Sequence, residues 1–247
     1  MIEINEIQKT EIGGSVFIEG FPGLGLVGVM AVSYMTQKLE MRYFGYISSP
    51  DFPPLITIRG GKAMPPVRIY WSEKNKIAAA LADFTIPLDM IREIGTALYD
   101  YLKAKGVRKA ISIGGIPSEH VTSSETFAIA SNGETTKELE TAGISTITDG
   151  VSTGVGAILL QRAITDQQPL NVINLLVPVE PGIVDPKYAE NAVAAINSLL
   201  GIRIDLSDLE KEAVEVEAKL QELLKKGRET RASYKKTLEP ADSSLYG

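Results

Sequence analysis

The sequence predicts an α/β protein in which a mostly parallel or mixed β-sheet is covered on both faces by helices. Apolar runs typical of strands alternate along the chain with segments that have the 3.6-residue period of amphipathic helices. The composition is that of an ordinary globular protein, with 44% apolar and 23% charged residues among 247. A chain of this length is sufficient for one large α/β domain with an appendage.

Eight strands and five helices are predicted in order along the chain. The strand patterns cover 15–20, 42–47, 55–58, 67–71, 77–83, 109–114, 127–130 and 172–177. The helical patterns cover 26–39, 89–105, 135–142, 155–165 and 186–200. Pro87 and Gly106 flank the second helix as start and stop signals. Between 52 and 83 three strands follow one another without a helix, so we expect a local antiparallel excursion with a turn at Gly60-Gly61.

The pattern changes near residue 206, which predicts a core domain over 1–205, a helical segment over 206–236 and a flexible tail over 237–247. Apolar residues of the helical segment have the 4-3-4-3 spacing of a coiled coil: Leu209, Ala213, Val216, Leu220 and Leu223. Its first half is acidic and its end is basic, which suits the helix macrodipole and an antiparallel second copy. Both a surface helix with one buried stripe and a self-association helix fit this pattern.

Composition excludes several classes of function. A net charge of −6 argues against nucleic-acid binding. The absence of cysteine excludes disulfides and thiolate chemistry, and the single histidine, His120, excludes a histidine-rich metal site. The acidic start of the chain lacks the features of a signal peptide, and no apolar run is long enough to span a bilayer. We therefore expect a cytoplasmic protein without metal or cofactor.

The stretch "FIEGFPGLGLVG" contains Gly23, Gly25 and Gly28 in the G-x-G-x-x-G pattern of a dinucleotide site, between a predicted strand and a predicted helix. The acidic residue that should hold a ribose hydroxyl is missing from the end of the next strand, because Asp51 lies beyond a proline. Bulky residues separate the glycines. We therefore expect the glycines to serve backbone geometry, and Phe21 and Leu24 to be candidates for an oligomer interface together with Leu209, Val216, Leu220 and Leu223.

A second group of polar residues follows the strand 109–114, at the edge where α/β enzymes place their sites. Glu119 and His120 lie there with Ser118 and Ser123 nearby, and we expect Asp83, at the end of the predicted strand 77–83, and Asp149 to be nearby as well. We expect these residues to form loop hydrogen bonds, and Asp83 to cap or pair, so no catalytic residue is assigned. The alternative is a small-molecule enzyme of nucleoside or hydrolase type that uses the glycine-rich turns at 23–28 and 115–120.

Three stretches together resemble the proteasome assembly chaperone family: "FIEGFPGLGLVGVMAVSYM", "ISIGGIPSEH" and "STGVGAILL". The resemblance implies an archaeal homologue with a three-layer α/β/α core, similar to the phosphorylase/hydrolase-like architecture, and with no established catalytic activity. It also implies self-assembly into a tetramer or another small ring, and leaves open whether a paralogue takes part.

The last residues of the sequence extend this resemblance. Archaeal members of one type end in a hydrophobic-tyrosine-any residue (HbYX) motif, which docks into pockets between α-subunits of the 20S proteasome. Leu245, Tyr246 and Gly247 match that motif position by position. The resemblance therefore implies an assembly chaperone or activator-like protein that binds the 20S α-ring through this tail. Independently, an apolar residue and a tyrosine in a polar tail point to a partner that covers them.

Overall fold

The computed structural model describes residues 1–118 and 125–209, together with Lys211 and Ala218. The strands in these ranges are β1 Glu3–Glu6, β2 Val16–Gly20, β3 Arg42–Ser48, β4 Thr57–Arg59, β5 Lys62–Met64, β6 Val67–Ser72, β7 Ile77–Ala82, β8 Lys109–Pro117, β9 Phe127–Ala130, β10 Ser145–Thr146 and β11 Asn171–Val179. The helices are α1 Val27–Lys38, α2 Ile91–Ala104, α3 Gly133–Thr141, α4 Val155–Thr165 and α5 Pro186–Leu200.

Nine strands form one mixed sheet in the order β1-β3-β6-β7-β2-β8-β11-β9-β10. The four central strands, β7, β2, β8 and β11, are parallel, whereas β1, β3 and β6 pair antiparallel on one side. Every residue of β2 and β7 is buried. Such continuous burial is expected when helices cover both faces of parallel strands.

The helices form a layer on each face of the sheet, so the predicted three-layer α/β/α core is confirmed. On one face, α1, α3 and α5 pack over residues such as Ile18, Ile111 and Ile173. On the other face, α2 and α4 pack over Phe17, Ala110 and their neighbours. Helix α1 is buried from Val27 to Met35, which agrees with the uncharged and mostly apolar sequence of that stretch. No helix in the described ranges is long and apolar enough to cross a membrane.

Most predicted elements are present, and two helices, α4 and α5, have the predicted bounds. The local antiparallel excursion is also confirmed, because β4 and β5 form a hairpin whose turn residues Gly60 and Gly61 have φ of 55° and 74°. Three strands were missed: β1, β5 and β10. They are only two to four residues long, which is too short to show the alternation that identifies a half-buried strand.

Candidate functional site at the carboxyl edge of the sheet

The glycine-rich turn joins β2 to α1 at the carboxyl end of the parallel strands. Gly23 is extended, whereas Gly25 and Leu26 have left-handed φ values of 66° and 54°. Helix α1 then begins at Val27 without a side-chain cap. Glycine is the residue that adopts positive φ at no steric cost, so Gly25 is explained by the turn itself.

Two further glycines of this region allow the helix to approach the sheet closely. A Cβ atom at Gly28 would lie under 3.0 Å from the backbone oxygen of Ile113, and one at Gly20 would collide in the same way with the backbone oxygen of Gly28. A Cβ at Gly23, in contrast, would meet no atom within 4 Å. The prediction of backbone geometry is therefore confirmed for Gly25 and Gly28, while Gly23 has no such packing reason.

The second glycine-rich turn lies against the first. A Cβ at Gly115 would lie under 3.0 Å from the backbone oxygen of Leu24, and one at Gly25 would be 2.9 Å from Cγ1 of Val179. From β2 the chain continues to β3 on one side of the sheet, while β8 lies on the other side of β2. The two turns thus meet at a topological switch point, where open α/β sheets bind their ligands. Here the backbone of one turn fills the space beside the other.

A row of buried polar residues lies beneath these turns and was not predicted from the sequence. Glu19 on β2, Ser112 on β8 and Asn174 on β11 are direct neighbours in the strand register, and each is at most 5% exposed. The hydroxyl of Ser112 donates to Oε2 of Glu19 at 2.5 Å, and the amide of Phe21 donates to Oε1 at 2.6 Å. Burial raises the pKa of Glu19 from 4.5 to about 6, against the opposing effect of these two hydrogen bonds. The signal available in the sequence was a single polar residue in the interior of each of these three apolar strands.

The row extends to Ser152, which precedes α4. Nδ2 of Asn174 donates to Oγ of Ser152 at 3.0 Å. Residues 150–154 read Gly-Val-Ser-Thr-Gly and fit the G-x-S-x-G pattern of a nucleophile elbow, a match absent from the sequence-based predictions. An elbow places the serine on a sharp turn from strand to helix. Ser152 instead follows a loop that begins after β10, and its partner in the described ranges is an amide, not a base.

The remaining polar candidates do not converge on one point. Asp83 forms a buried pair with Arg68, so the prediction that it caps or pairs is confirmed. Asp149 is exposed, and the backbone amide of Ser118 donates to the oxygen of Val179. Glu119, His120 and Ser123 lie outside the described residues. No group of three His, Asp or Glu side chains within the described ranges could hold a metal ion.

The candidate interface residues occupy different environments. Phe21 and Leu209 are 6% and 1% exposed and belong to the core of the chain itself, so they offer no free surface. Leu209 is held there because the residues just before it contact α1, with the hydroxyl of Tyr34 donating to the oxygen of Asp205 at 2.6 Å. Leu24 is 38% exposed. Val216, Leu220 and Leu223 lie outside the described residues, as do Leu245, Tyr246 and Gly247.

We expect saturating NAD or NADP to leave the melting temperature unchanged, because the turn is packed against Ile113 and Val179 and lacks an acidic ribose partner. Asp51, the only candidate for that partner, is an exposed loop residue. Differential scanning fluorimetry measures this directly, since a ligand at one hundred times its Kd stabilises the folded state by about 2.7 kcal/mol. A clear rise in melting temperature would assign the turn to a cofactor.

The chain is similar in sequence and in structure to several known proteins. A family model described as the PAC2 family matches residues 17–224. An uncharacterized protein of Methanocaldococcus jannaschii is 30% identical over 218 residues, which cover 88% of this chain and 89% of that protein. The crystal structure of Pyrococcus furiosus PbaA, an archaeal homolog of proteasome-assembly chaperone, is 33% identical with a TM-score of 0.81 and covers 93% of this chain and 100% of that one.

A further solved structure shares the fold. Pyrococcus furiosus PbaB, an archaeal proteasome activator, has a TM-score of 0.71 and 24% identity, and the match covers 90% of this chain and 98% of PbaB. At this level of identity the likeness concerns the arrangement of strands and helices.

Proposed function

This chain belongs to the PAC2 family, as its resemblance to the proteasome assembly chaperones predicted, and from that premise we propose that it is a proteasome assembly chaperone or an activator-like protein. The observation that carries the proposal is the 33% identity to PbaA over nearly the whole of both chains. We further propose that it binds the α-ring of the 20S proteasome through Leu245, Tyr246 and Gly247.

The chemistry of these three residues supports a docking role. A terminal carboxylate can be captured by a lysine or by a nest of backbone amides. Tyrosine brings a stiff ring with one polar tip, and leucine fills an apolar slot. We also propose that the chain is a homo-oligomer, because several tails that engage several sites on a ring gain avidity without any single tail binding tightly. Leu24 is the described interface candidate with exposed surface.

The tail is tested by binding to purified 20S α-rings. Tyr246→Ala should lose most of the affinity, because a buried aromatic anchor commonly contributes ~2 kcal/mol or more and the loss recurs at each engaged tail. One residue added after Gly247 should weaken binding almost as much, since it moves the carboxylate by up to ~3.5 Å. Surface plasmon resonance with immobilised α-rings measures both changes.

Ser244→Ala serves as the matched control, because it changes the neighbouring side chain and keeps the motif. Sedimentation of every variant should give the same oligomer as the unaltered chain, which separates loss of docking from loss of assembly. If the extended chain binds α-rings as well as the original, the tail plays no part in docking. If no version binds, the assignment to the proteasome fails as a whole.

One observation favours a second candidate, the small-molecule enzyme of nucleoside or hydrolase type. The two glycine-rich turns meet at the switch point of the sheet, above Glu19, Ser112 and the G-x-S-x-G stretch at 150–154. Stabilisation by nucleosides, or labelling of Ser152 by a fluorophosphonate, would support this candidate. We place it second because no base contacts Ser152 within the described residues, and both turns are filled by their own backbone.

A further inference from the structure

Glu19 differs from the other buried charged residues of the described chain. Arg68 is paired with Asp83 and Lys109 with Glu138, whereas Glu19 is 3% exposed and has a backbone amide and a hydroxyl as its partners. A carboxylate that is buried without a cation is costly, because protein groups replace the water that would stabilise its charge. This cost therefore lowers the stability of the segments that cover Glu19.

The elements around Glu19 contribute small or apolar residues. Ala80 of β7 is its neighbour on one side and Ser112 of β8 on the other. Above the row, a Cβ at Gly156 of α4 would lie under 3.0 Å from both Oγ of Ser112 and Oδ1 of Asn174, so the first turn of α4 closes this side. Water can therefore reach Glu19 only if one of the covering segments moves.

The charged residues of these elements are engaged elsewhere. Asp83 beyond β7 pairs with Arg68, and Lys109 at the start of β8 pairs with Glu138. The charged residues of α2 and α4 form contacts of exposed or half-buried side chains: Glu93 with the amino terminus, Arg92 with Gln161, Asp100 with Arg162, and Lys103 with Asp166. Within the part of the chain that the structure describes, the charge state of Glu19 thus depends on its burial and its two hydrogen bonds.

We propose that Glu19 is a proton-controlled latch for the glycine-rich turn, residues 21–26. The amide of Phe21 is the first of this turn, and it donates directly to the carboxyl group. In the protonated state one oxygen accepts from Phe21 while the other can donate to Ser112. In the ionised state both oxygens accept, and the charge stays out of water. Opening of the turn breaks the hydrogen bond from Phe21 and admits water to the ionised carboxylate, so the ionised state favours the open turn.

The sign of the pH dependence follows from the direction of the shift. The pKa of Glu19 is raised in the folded chain from 4.5 to about 6, so the folded turn binds this proton more tightly than the open one. The stabilisation is therefore complete below about pH 4.5 and is lost as the pH rises through about 6. This shift in the pKa of Glu19 means that the population of the open turn increases by up to about 30-fold as the pH rises.

Hydrogen exchange of the full chain tests the latch. We expect peptides that span the turn to exchange at the same rate in the unaltered chain and in Glu19→Gln at about pH 4.5, and up to about 30-fold faster in the unaltered chain at about pH 8. Comparing the two proteins at each pH cancels the intrinsic dependence of exchange on hydroxide. Glutamine keeps the shape and one acceptor for Phe21, but it cannot ionise.

Two further variants complete the test. Ser112→Ala removes the donor that favours the ionised carboxylate, so the loss of protection should move to higher pH. Glu11→Gln, at a side chain that is 84% exposed, should behave like the unaltered chain. A ratio between the unaltered chain and Glu19→Gln that is constant across this pH range would overturn the latch, and so would a pH-dependent ratio equally large in peptides from α3. Neither outcome depends on binding to the proteasome.

Discussion

Gly28→Ala should destabilise the fold by at least about 3 kcal/mol, because the structure has no room for the added methyl group. It would lie under 3.0 Å from the backbone oxygen of Ile113 in the central strand β8, with the Cα atom of Gly20 at 3.1 Å. Backbone atoms in the middle of a sheet cannot rotate away as a side chain can. Relief requires α1 to separate from β2 and β8, with loss of packing along a helix buried from Val27 to Met35. The midpoint of urea denaturation measures the effect.

Gly23→Ala is the matched control within the same motif. Gly23 has φ of −140° and ψ of −158°, which alanine can adopt, and a Cβ there would meet no atom within 4 Å. Its stability should change by no more than about 0.5 kcal/mol, or rise slightly because alanine restricts the unfolded chain. Equal destabilisation by both substitutions would contradict the packing explanation of the glycines.

Asp83→Asn should cost about 3–5 kcal/mol, because it leaves the guanidinium of Arg68 buried without a counter-charge. The two side chains are 0% and 1% exposed, and their contacts are bidentate, with Nη2 of Arg68 2.9 Å from Oδ1 of Asp83. The hydroxyl of Thr57 also donates to Asp83, and Arg59 lies 3.4 Å away. This carboxylate therefore joins the hairpin β4–β5 to the sheet.

Asp100→Asn is the control for this prediction, since Asp100 and Arg162 form an ion pair whose side chains are 55% and 41% exposed. A pair in contact with water contributes at most about 1 kcal/mol. Replacement of Arg68 and Asp83 together by Met and Leu should recover much of the loss, because no buried charge remains. A cost for Asp83→Asn no larger than that of Asp100→Asn would show that the buried pair does not carry the stability assigned to it.

These two predictions concern the same edge of the sheet as the proposed latch. Gly28 sets how closely α1 approaches β8, Asp83 fastens the hairpin, and Glu19 holds the turn between them. The stability of this edge depends on close backbone contacts and on two buried carboxyl groups that differ in their surroundings. Asp83 has a cation beside it, whereas Glu19 has none among the described residues and is expected to respond to pH between about 4.5 and 6.

The dinucleotide-like motif shows how one pattern can arise from different physical needs. In a dinucleotide site the glycines make room for a pyrophosphate and for close helix–strand packing. Here Gly28 serves helix–strand packing, while Gly25 lies against Val179 and Tyr188 of the same chain. A pattern of glycines in a sequence indicates that the backbone needs space at those positions. It does not indicate which atoms fill that space.

The sequence by itself determined the class of the fold, its helices and most of its strands, because these depend on local periodicity and on start and stop residues such as Pro87 and Gly106. It also identified the family, through glycine-marked turns that each need a particular backbone. Its prediction for Asp83 was right, since an acidic residue at the end of a buried strand requires a partner.

Only the tertiary structure decided which residues meet. Glu19, Ser112 and Asn174 are separated by 93 and 62 positions in the chain, and strand order alone makes them neighbours. The same holds for Phe21 and Leu209, predicted as interface residues from their apolar character but buried by the chain's own packing. Apolar character states that a side chain will be covered, and long-range packing selects what covers it. Short edge strands such as β1 likewise exist because a neighbouring strand offers free hydrogen bonds, which no local pattern records.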